Sequence, residues 1–287
     1  MGKTIKLNHI TKIEGHASLT LKVDKGKVKK CELSSTEGAR YFEGILLKKR
    51  FYEAHEISSR ICGICSCAHT ICATMAIENA LGIDVTEQTR KWRELITLGE
   101  RIRSHATHLY FLALPDYLGF ESVLSMLPKY KKEIERAIRM IKTGNMMIRT
   151  IGGRDLHPVS NTIGGLLKLP HQKDIQELIK LLEACQQDAE ETVTLFNQLH
   201  RQKFERHVDY LSLASPKQYA LLEGFLKSEH RIFKQQAFHE HLQEAHKEYS
   251  TANFIFKDGH PYRVGALARF NNNHGNLSSR AKVLVKK

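Results

Sequence analysis

What the chain lacks narrows its class first. None of its 287 residues falls in an apolar run approaching the ~20 needed to cross a bilayer as a helix. The start, Met1-Gly2-Lys3-Thr4-Ile5-Lys6-Leu7-Asn8-His9, has no apolar core of a secretory signal. These absences predict a cytoplasmic chain with no membrane span, unless a partner carries it elsewhere. There is no internal repeat, low-complexity tract or flexible linker, so residues 1–287 read as a single domain. Apolar residues make up 41% and charged residues 26%, a balance that can bury a real core.

What is present begins with charge. The net charge is +13, from 44 Lys and Arg against 31 acids. An excess of this size is one mark of a nucleic-acid surface, but the basic residues are spread along the chain and interleaved with acids. The densest stretches, Lys25 to Lys30 and Lys48-Lys49-Arg50, read as a turn and a solvated helix end. No nucleic-acid partner is expected; an acidic or cofactor-bearing partner is the more natural use of the charge. Four of the six cysteines, Cys62, Cys65, Cys67 and Cys72, fall within eleven residues, while Cys31 and Cys185 stand alone. Without an export signal, such clustering predicts metal or redox chemistry rather than a disulfide framework.

Periodicity predicts an α+β fold, mainly α, with a small N-terminal antiparallel sheet followed by a bundle of long helices. Residues 4–7 and 17–23 alternate as strands, Asp24-Lys25-Gly26-Lys27 is a hairpin turn, and residues 27–33 return as the partner. A short amphipathic helix holds Ile45, Leu46 and Leu47. Longer helices are expected over 68–81, closed by Gly82, over 87–114, closed by Pro115, over 129–151 and over 173–204. Leu95, Leu98, Ile102, His105, Leu109 and Leu112 would share one face. Ile175, Leu178, Leu182, Cys185, Ala189, Val193 and Phe196 would form a packed seam, in which Cys185 is a small core residue. Residues 205–260 read as shorter helices, with His230, His239, His241 and His246 on a solvated helical face. His105 and His108 have metal-ligand spacing but no evident third ligand.

The segment Ser58-Ser59-Arg60-Ile61-Cys62-Gly63-Ile64-Cys65-Ser66-Cys67-Ala68-His69 carries the chemistry. Two thiols three residues apart can face one metal, and Gly63 is expected to let the loop turn tightly. A helix starting just after Cys65, with Arg60 nearby, would favour thiolate. His69, one helical turn beyond Cys65, can hydrogen-bond a sulfur or bind a metal. A structural zinc knuckle would need a second ligand pair, which the sequence does not offer. An iron–sulfur cluster on Cys62, Cys65, Cys67 and Cys72 is the other open reading.

The string from Glu56 to His69 resembles the N-terminal metal-binding signature of nickel–iron hydrogenase large subunits. That resemblance implies Cys62 as a terminal nickel ligand, Cys65 as a thiolate bridging nickel and iron, and His69 as a hydrogen-bond donor to the bridging sulfur. Lys12-Ile13-Glu14-Gly15-His16 is similar to the family's Arg-Ile-Glu-Gly-His element, which implies that Glu14 relays protons to and from the terminal thiolate. Arg40-Tyr41-Phe42-Glu43 resembles the segment whose glutamate binds magnesium or iron, a role that falls to Glu43. Ile151 to Pro158, with Gly164-Gly165, and Pro261 to Asn271 resemble two further family segments and read as packing elements. The implied cofactors are a nickel–iron centre with cyanide and carbonyl ligands on iron, and a magnesium (or iron) ion. The implied partners are the iron–sulfur small subunit of a hydrogenase, with further subunits linked to NAD(P), coenzyme F420 or a heterodisulfide reductase.

The family's second cysteine pair, its arginine beside the iron and its C-terminal histidine have no counterpart here. Two thiolates cannot hold a centre that four hold. The chain is therefore expected to be the N-terminal portion of a large subunit, whether as a fragment, a split subunit, or a degenerate relative. A catalytically silent scaffold or interaction protein, and a small metal-binding module using only the local cysteines, are the competing classes.

Overall fold

The computed structural model describes residues 2–38, 40–200 and 203–285. In chain order its elements are strands β1 (Lys3–Leu7), β2 (Ala17–Asp24) and β3 (Lys27–Ser35), then helices α1 (Tyr41–Leu46), α2 (Ala54–Ser59), α3 (Ser66–Leu81) and α4 (Glu87–Thr107). Helices α5 (Leu114–Leu118), α6 (Val123–Met126) and α7 (Lys131–Gly152) follow, then the short hairpin β4 (Asn161–Thr162) and β5 (Gly165–Leu166), and helix α8 (Gln172–Gln198). The remainder holds β6 (Asp209–Tyr210), β7 (Ser212–Ala214), β8 (Phe225–Lys227), β9 (Ile232–Phe233), α9 (Phe238–His241), β10 (Leu242–Lys247), β11 (Ser250–Lys257) and β12 (Tyr262–Arg263). Helices α10 (Ala266–Asn273) and α11 (Ser279–Val285) complete it. The fold is α+β and mainly α, with the small antiparallel sheet at the N-terminus. The sequence reads as one domain; by packing, the chain divides into two compact units.

The first unit comprises residues 1–44 and 205–282. Its sheet β1–β2–β3 is antiparallel throughout, and Asp24 pairs with Lys27 across the turn. Lys25 (φ 49°) and Gly26 (φ 73°) both take left-handed backbone, the geometry a two-residue hairpin requires. Strand β3 is tied to β11 by the Ser35 amide, which donates to Ser250 Oγ at 3.0 Å, and by Thr251 Oγ1, which donates to the Ser35 carbonyl at 3.1 Å.

Residues 205–260 correct the sequence reading. They form mostly short strands, not helices. Their Gln, Glu and Lys content resembles helix surfaces, but Phe254 and Phe256 are half-buried on either side of exposed Ile255, the period of two that a strand requires. The four histidines therefore share no helical face: His239 and His241 lie in the one-turn α9, His246 on β10, and His230 between β8 and β9. Three asparagine side chains fasten α10 and the residues after it to neighbouring backbone. Asn272 Nδ2 donates to the Tyr210 and Lys227 carbonyls, and Asn273 Nδ2 to the Leu213 and Arg269 carbonyls. Asn276 Nδ2 donates to Ser215 and Gln218.

The second unit, residues 45–204 and 283–287, is the helical bundle. Helices α4 and α7 cross at Gly99 and Gly144. A Cβ on Gly144 would lie 2.6 Å from the Gly99 carbonyl oxygen and 2.8 Å from the Arg103 amide nitrogen. One apolar cluster gathers Tyr110, Leu114, Met126, Ile134 and Ala137, and another Ala106, Met140 and Cys185. Helix α3 ends at Gly82 in left-handed backbone, as expected for a glycine stop.

Two helix ends and two helix faces differ from expectation. Pro115 does not close the fourth helix: the chain widens into one π-helical turn over His108–Ala113, places Pro115 in the first turn of α5 and stops at left-handed Gly119. Proline there removes no needed donor, and the wide turn absorbs its ring. Helix α8 ends at Gln198 rather than 204; residues 201 and 202 lie outside the described residues. The buried face of α4 is not the apolar stripe but Arg93, Ile96, Thr97, Glu100, Arg103 and Ala106, with His105 and His108 exposed. On α8, Val193 is exposed, while Asp188 and Thr192 are buried beside Leu178 and Cys185.

Candidate metal centre

The cysteine loop lies wholly within the helical unit. Helix α2 leads into it with His55 and Ser59 buried, and the Arg60 amide ends that helix by donating back to the Ile57 carbonyl at 2.9 Å. Cys65 then occupies the N-cap position of α3. The Cys65 amide donates to Cys62 Sγ at 3.3 Å, which brings the second cysteine's backbone under the first cysteine's sulfur. Cys62 and Cys65 are half-buried, whereas Cys67 is fully buried and Cys72 exposed, both on α3. Gly63 is not one of the left-handed glycines, so its role is not the backbone freedom expected of it. A Cβ there would meet His157 Nε2 at 4.0 Å, an ordinary contact.

Four side chains outside the cysteine pair hold the loop. Ser66 Oγ donates to the Gly63 carbonyl at 3.0 Å and accepts the His157 amide at 2.9 Å. His157 Nδ1 donates to the Ser59 carbonyl at 2.8 Å, and the residue takes a left-handed φ of 52°, which a non-glycine rarely adopts. Arg103 Nη2 donates to the Ile64 carbonyl at 2.6 Å; its Nη1 donates to the Asp155 carbonyl at 2.6 Å and to Asn145 Oδ1 at 3.2 Å. Glu100 Oε2 accepts the Cys67 amide at 2.7 Å and the Ala68 amide at 3.4 Å, in the first turn of α3. A carboxylate at that position meets the positive end of the helix.

The electrostatics separate the cysteines. Burial, reinforced by Glu100, pushes the Cys67 thiol far above the usual range, so it stays protonated. Cys67 is fully buried and Cys72 exposed on the same helix, a placement that argues against a four-cysteine cluster. Burial holds the His69 imidazole below its ordinary value against the pull of Glu100, which favours a neutral ring with a single N–H to donate.

The other two candidates belong to the first unit. Glu14 is exposed in the connection between β1 and β2, where Lys12 and Gly15 take left-handed backbone. A Cβ on Gly15 would lie 2.6 Å from Glu37 Oε2, so the connection admits no larger residue there without rearrangement. Glu43 is exposed on α1, and Arg40 Nε donates to its Oε2 at 2.7 Å. A single exposed carboxylate bonded to an arginine offers one donor to a hard cation, not a complete site. The structure thus groups Cys62, Cys65 and His69 in one unit and places Glu14 and Glu43 in the other.

Sequence reasoning misses Glu100, Arg103, Ser66 and His157. His157 is legible only as part of a packing turn. Glu100 and Arg103 do carry a signal: with Arg93 they place three charges at i, i+7 and i+10 on one face of a long helix.

The donor chemistry fits a soft or borderline metal. Two thiols sit in one loop, one sulfur accepting a backbone N–H as metal-bound thiolates do, and a neutral imidazole stands a turn away. Among the described residues no group of three or more His, Cys, Asp or Glu side chains is arranged to hold a metal, so the loop supplies a two-donor portion of a centre.

Comparison with known proteins bears on this geometry. The family described as nickel-dependent hydrogenase matches residues 40–154, which include the cysteine loop and α1 to α7. The chain belongs to the nickel-dependent hydrogenase family. Its relatives are the large, or alpha, subunits. It is 34% identical to the alpha subunit of sulfhydrogenase 1 from Pyrococcus furiosus, over 98% of this chain and 66% of that protein. It is 30% identical to one of the subunits of the vhu F420-non-reducing hydrogenase from Methanocaldococcus jannaschii, over 94% of this chain and 71% of that protein. The fold matches an NAD+-reducing nickel–iron hydrogenase in the H2-reduced state, with a TM-score of 0.90 at 23% identity over 98% of this chain and 68% of the other. The chain thus spans about two thirds of the length of the relatives it matches.

Proposed function

We propose that this chain forms part of a hydrogenase large subunit that interconverts H2 with protons and electrons. The observation that carries the reading is the Cys62–Cys65 loop, closed by the Cys65 amide on Cys62 Sγ and set at the start of α3. Cys62 is assigned as a terminal nickel ligand and Cys65 as the thiolate shared between nickel and iron; the remaining ligands come from residues outside this chain's cysteine pair. The iron is read as carrying cyanide and carbonyl ligands, and a bound nickel–iron centre would supply the Lewis acidity and redox capacity for splitting H2.

The chain's own residues bind, orient and move protons. The Cys62 sulfur is the proton acceptor, and Glu14 is the first carboxylate to take that proton onward. His69, held neutral by partial burial, donates one N–H to the Cys65 sulfur and so moderates its charge. Glu43 contributes one carboxylate oxygen toward a magnesium ion completed by other residues. Electrons leave through an iron–sulfur small subunit toward an NAD(P)-, F420- or heterodisulfide-reductase-linked partner, in the cytoplasm. Among the described residues no helix is long and apolar enough to cross a membrane.

Co-production with a small subunit, together with the remaining third of a large one, tests this. The expected result is nickel and iron in the purified complex and H2-dependent dye reduction, both lost in Cys62→Ser and Cys65→Ser. Iron–sulfur absorption with no nickel, or a complex without dye reduction, would favour the silent scaffold.

A further inference from the structure

Helix α4 carries two arginine–glutamate partnerships, and they are built differently. Arg93 and Glu78 form a complete buried pair: Nη1 and Nη2 donate to the two carboxylate oxygens at 2.7 Å each. The remaining donors and acceptors of that pair are also met, by Asn161 Oδ1, the Thr162 carbonyl and the Gly164 amide. This is how a buried pair offsets its desolvation. Glu100 and Arg103, three residues apart on the same helix, are equally buried, at 1% and 5% exposure. Yet Arg103 Nη2 and Glu100 Oε2 stand 4.0 Å apart. Each side chain instead bonds backbone: Arg103 the Ile64 carbonyl, Glu100 the Cys67 and Ala68 amides. Glu100 Oε1 and Arg103 Nε are left without partners. Two buried charges that face each other at 4.0 Å without a hydrogen bond, and spend their hydrogen bonds on backbone on both sides of Cys65, are poorly explained as a stability device alone.

We infer that Arg103 and Glu100 are positioning residues that fix the relative placement of the Cys62 and Cys65 sulfurs before any metal arrives. Ile64 is the residue between Gly63 and Cys65, so anchoring its carbonyl sets the peptide plane that delivers Cys65. Glu100 fixes the turn that follows. Because both side chains rise from one turn of α4, the loop and the helix start cannot move independently. The tight Gly99–Gly144 crossing holds that turn of α4 against α7, which brings Asn145 and, beyond the helix end, Asp155 to Arg103. The inference rests on the reading of Cys62 and Cys65 as metal ligands.

The test titrates the full chain with Cd2+ alone, reading thiolate-to-cadmium absorption and taking the component that Cys62→Ser/Cys65→Ser removes. Arg103→Lys is expected to weaken Cd2+ binding about tenfold and Arg103→Met by up to about a hundredfold, the range typical of residues that orient metal ligands. Glu100→Leu should weaken it similarly, and Glu100→Gln, which keeps an oxygen for the two amides, should restore most of the loss. Arg93→Met is the matched control: it breaks the other buried pair, lowers the unfolding midpoint, and should leave Cd2+ affinity within about twofold. If Arg103→Met does not fold, Arg103→Lys decides. Parent-like affinity in Arg103→Lys, or equal weakening in Arg93→Met, overturns the positioning role. Cd2+ absorption left undiminished by Cys62→Ser/Cys65→Ser, so that the exposed Cys31 and Cys72 account for all of it, overturns the metal-loop reading itself.

Discussion

Replacing Gly144 with alanine sets two effects of opposite sign against each other. Gly144 lies inside α7, where alanine is favoured over glycine by about 1 kcal/mol on helix propensity alone. Against this, the new Cβ would sit 2.6 Å from the Gly99 carbonyl oxygen, 2.8 Å from the Arg103 amide nitrogen and 3.1 Å from Arg103 Cβ. The two nearest atoms are backbone, so no rotamer change relieves them. Helices α4 and α7 would have to part by about 0.8 Å to reach ordinary contact, along the most extensive helix pairing in the bundle. Overpacking of this kind costs about 1–3 kcal/mol, and collision with backbone on both sides places it toward the upper end. The net expectation is a destabilisation of about 1–2 kcal/mol, or a melting temperature about 2–8 °C lower for a unit of this size. Thermal unfolding followed by circular dichroism reads it directly. Gly44→Ala is the control, since a Cβ there meets nothing within 4 Å and the backbone is helical. If Gly144→Ala melts at or above the temperature of Gly44→Ala, propensity outweighs packing and the close crossing is refuted.

Further outcomes follow from the same contacts. Arg93→Met leaves the Glu78 carboxylate buried without its guanidinium and should lower unfolding stability by about 3–5 kcal/mol, measured in urea. Tyr110→Phe removes a buried hydroxyl 2.7 Å from Thr192 Oγ1 that also accepts from Arg136 Nη1 at 3.3 Å; Thr192 keeps the Asp188 carbonyl and Arg136 keeps Glu191, so the loss should be about 1–2 kcal/mol. The hydrogen bonds from Arg149 hold the Asp155 carboxylate below its ordinary value. A folded-state value below the unfolded ~3.9 means that this stabilisation is complete above about pH 4 and fades as pH falls through the folded value. The urea midpoint should therefore drop less steeply in acid for Asp155→Asn than for the parent.

Much of the fold is legible where local chemistry and tertiary packing agree. The Lys25-Gly26 turn, the flanking strands and the Gly82 stop each need a backbone that few residues supply, and they fall where alternation and glycine put them. The departures share a cause. On α4 the apolar stripe reads as the buried face, but the bundle buries Arg93, Glu100 and Arg103, which bond partners from α3, the cysteine loop and residues beyond α7. Those partners are remote in sequence, so no local pattern reveals them. Pro115 misleads for a similar reason: the π-helical turn before it is stabilised by the burial of Tyr110 and Leu114. Polar composition masks the short strands beyond residue 205. The cysteine loop itself is plain in the sequence, while the side chains that hold it are not, because Ser66, His157, Arg103 and Glu100 meet only after folding.

The proposed function stands on nickel ligation by the cysteine loop, and X-ray absorption at the nickel edge measures that ligation most directly. The sample is the chain assembled with a small subunit, together with the remaining third of a large one. Bound nickel with sulfur neighbours is expected in the parent, and loss of nickel or of sulfur neighbours in Cys62→Ser and in Cys65→Ser. Nickel retained with an unchanged sulfur shell in both variants would contradict it.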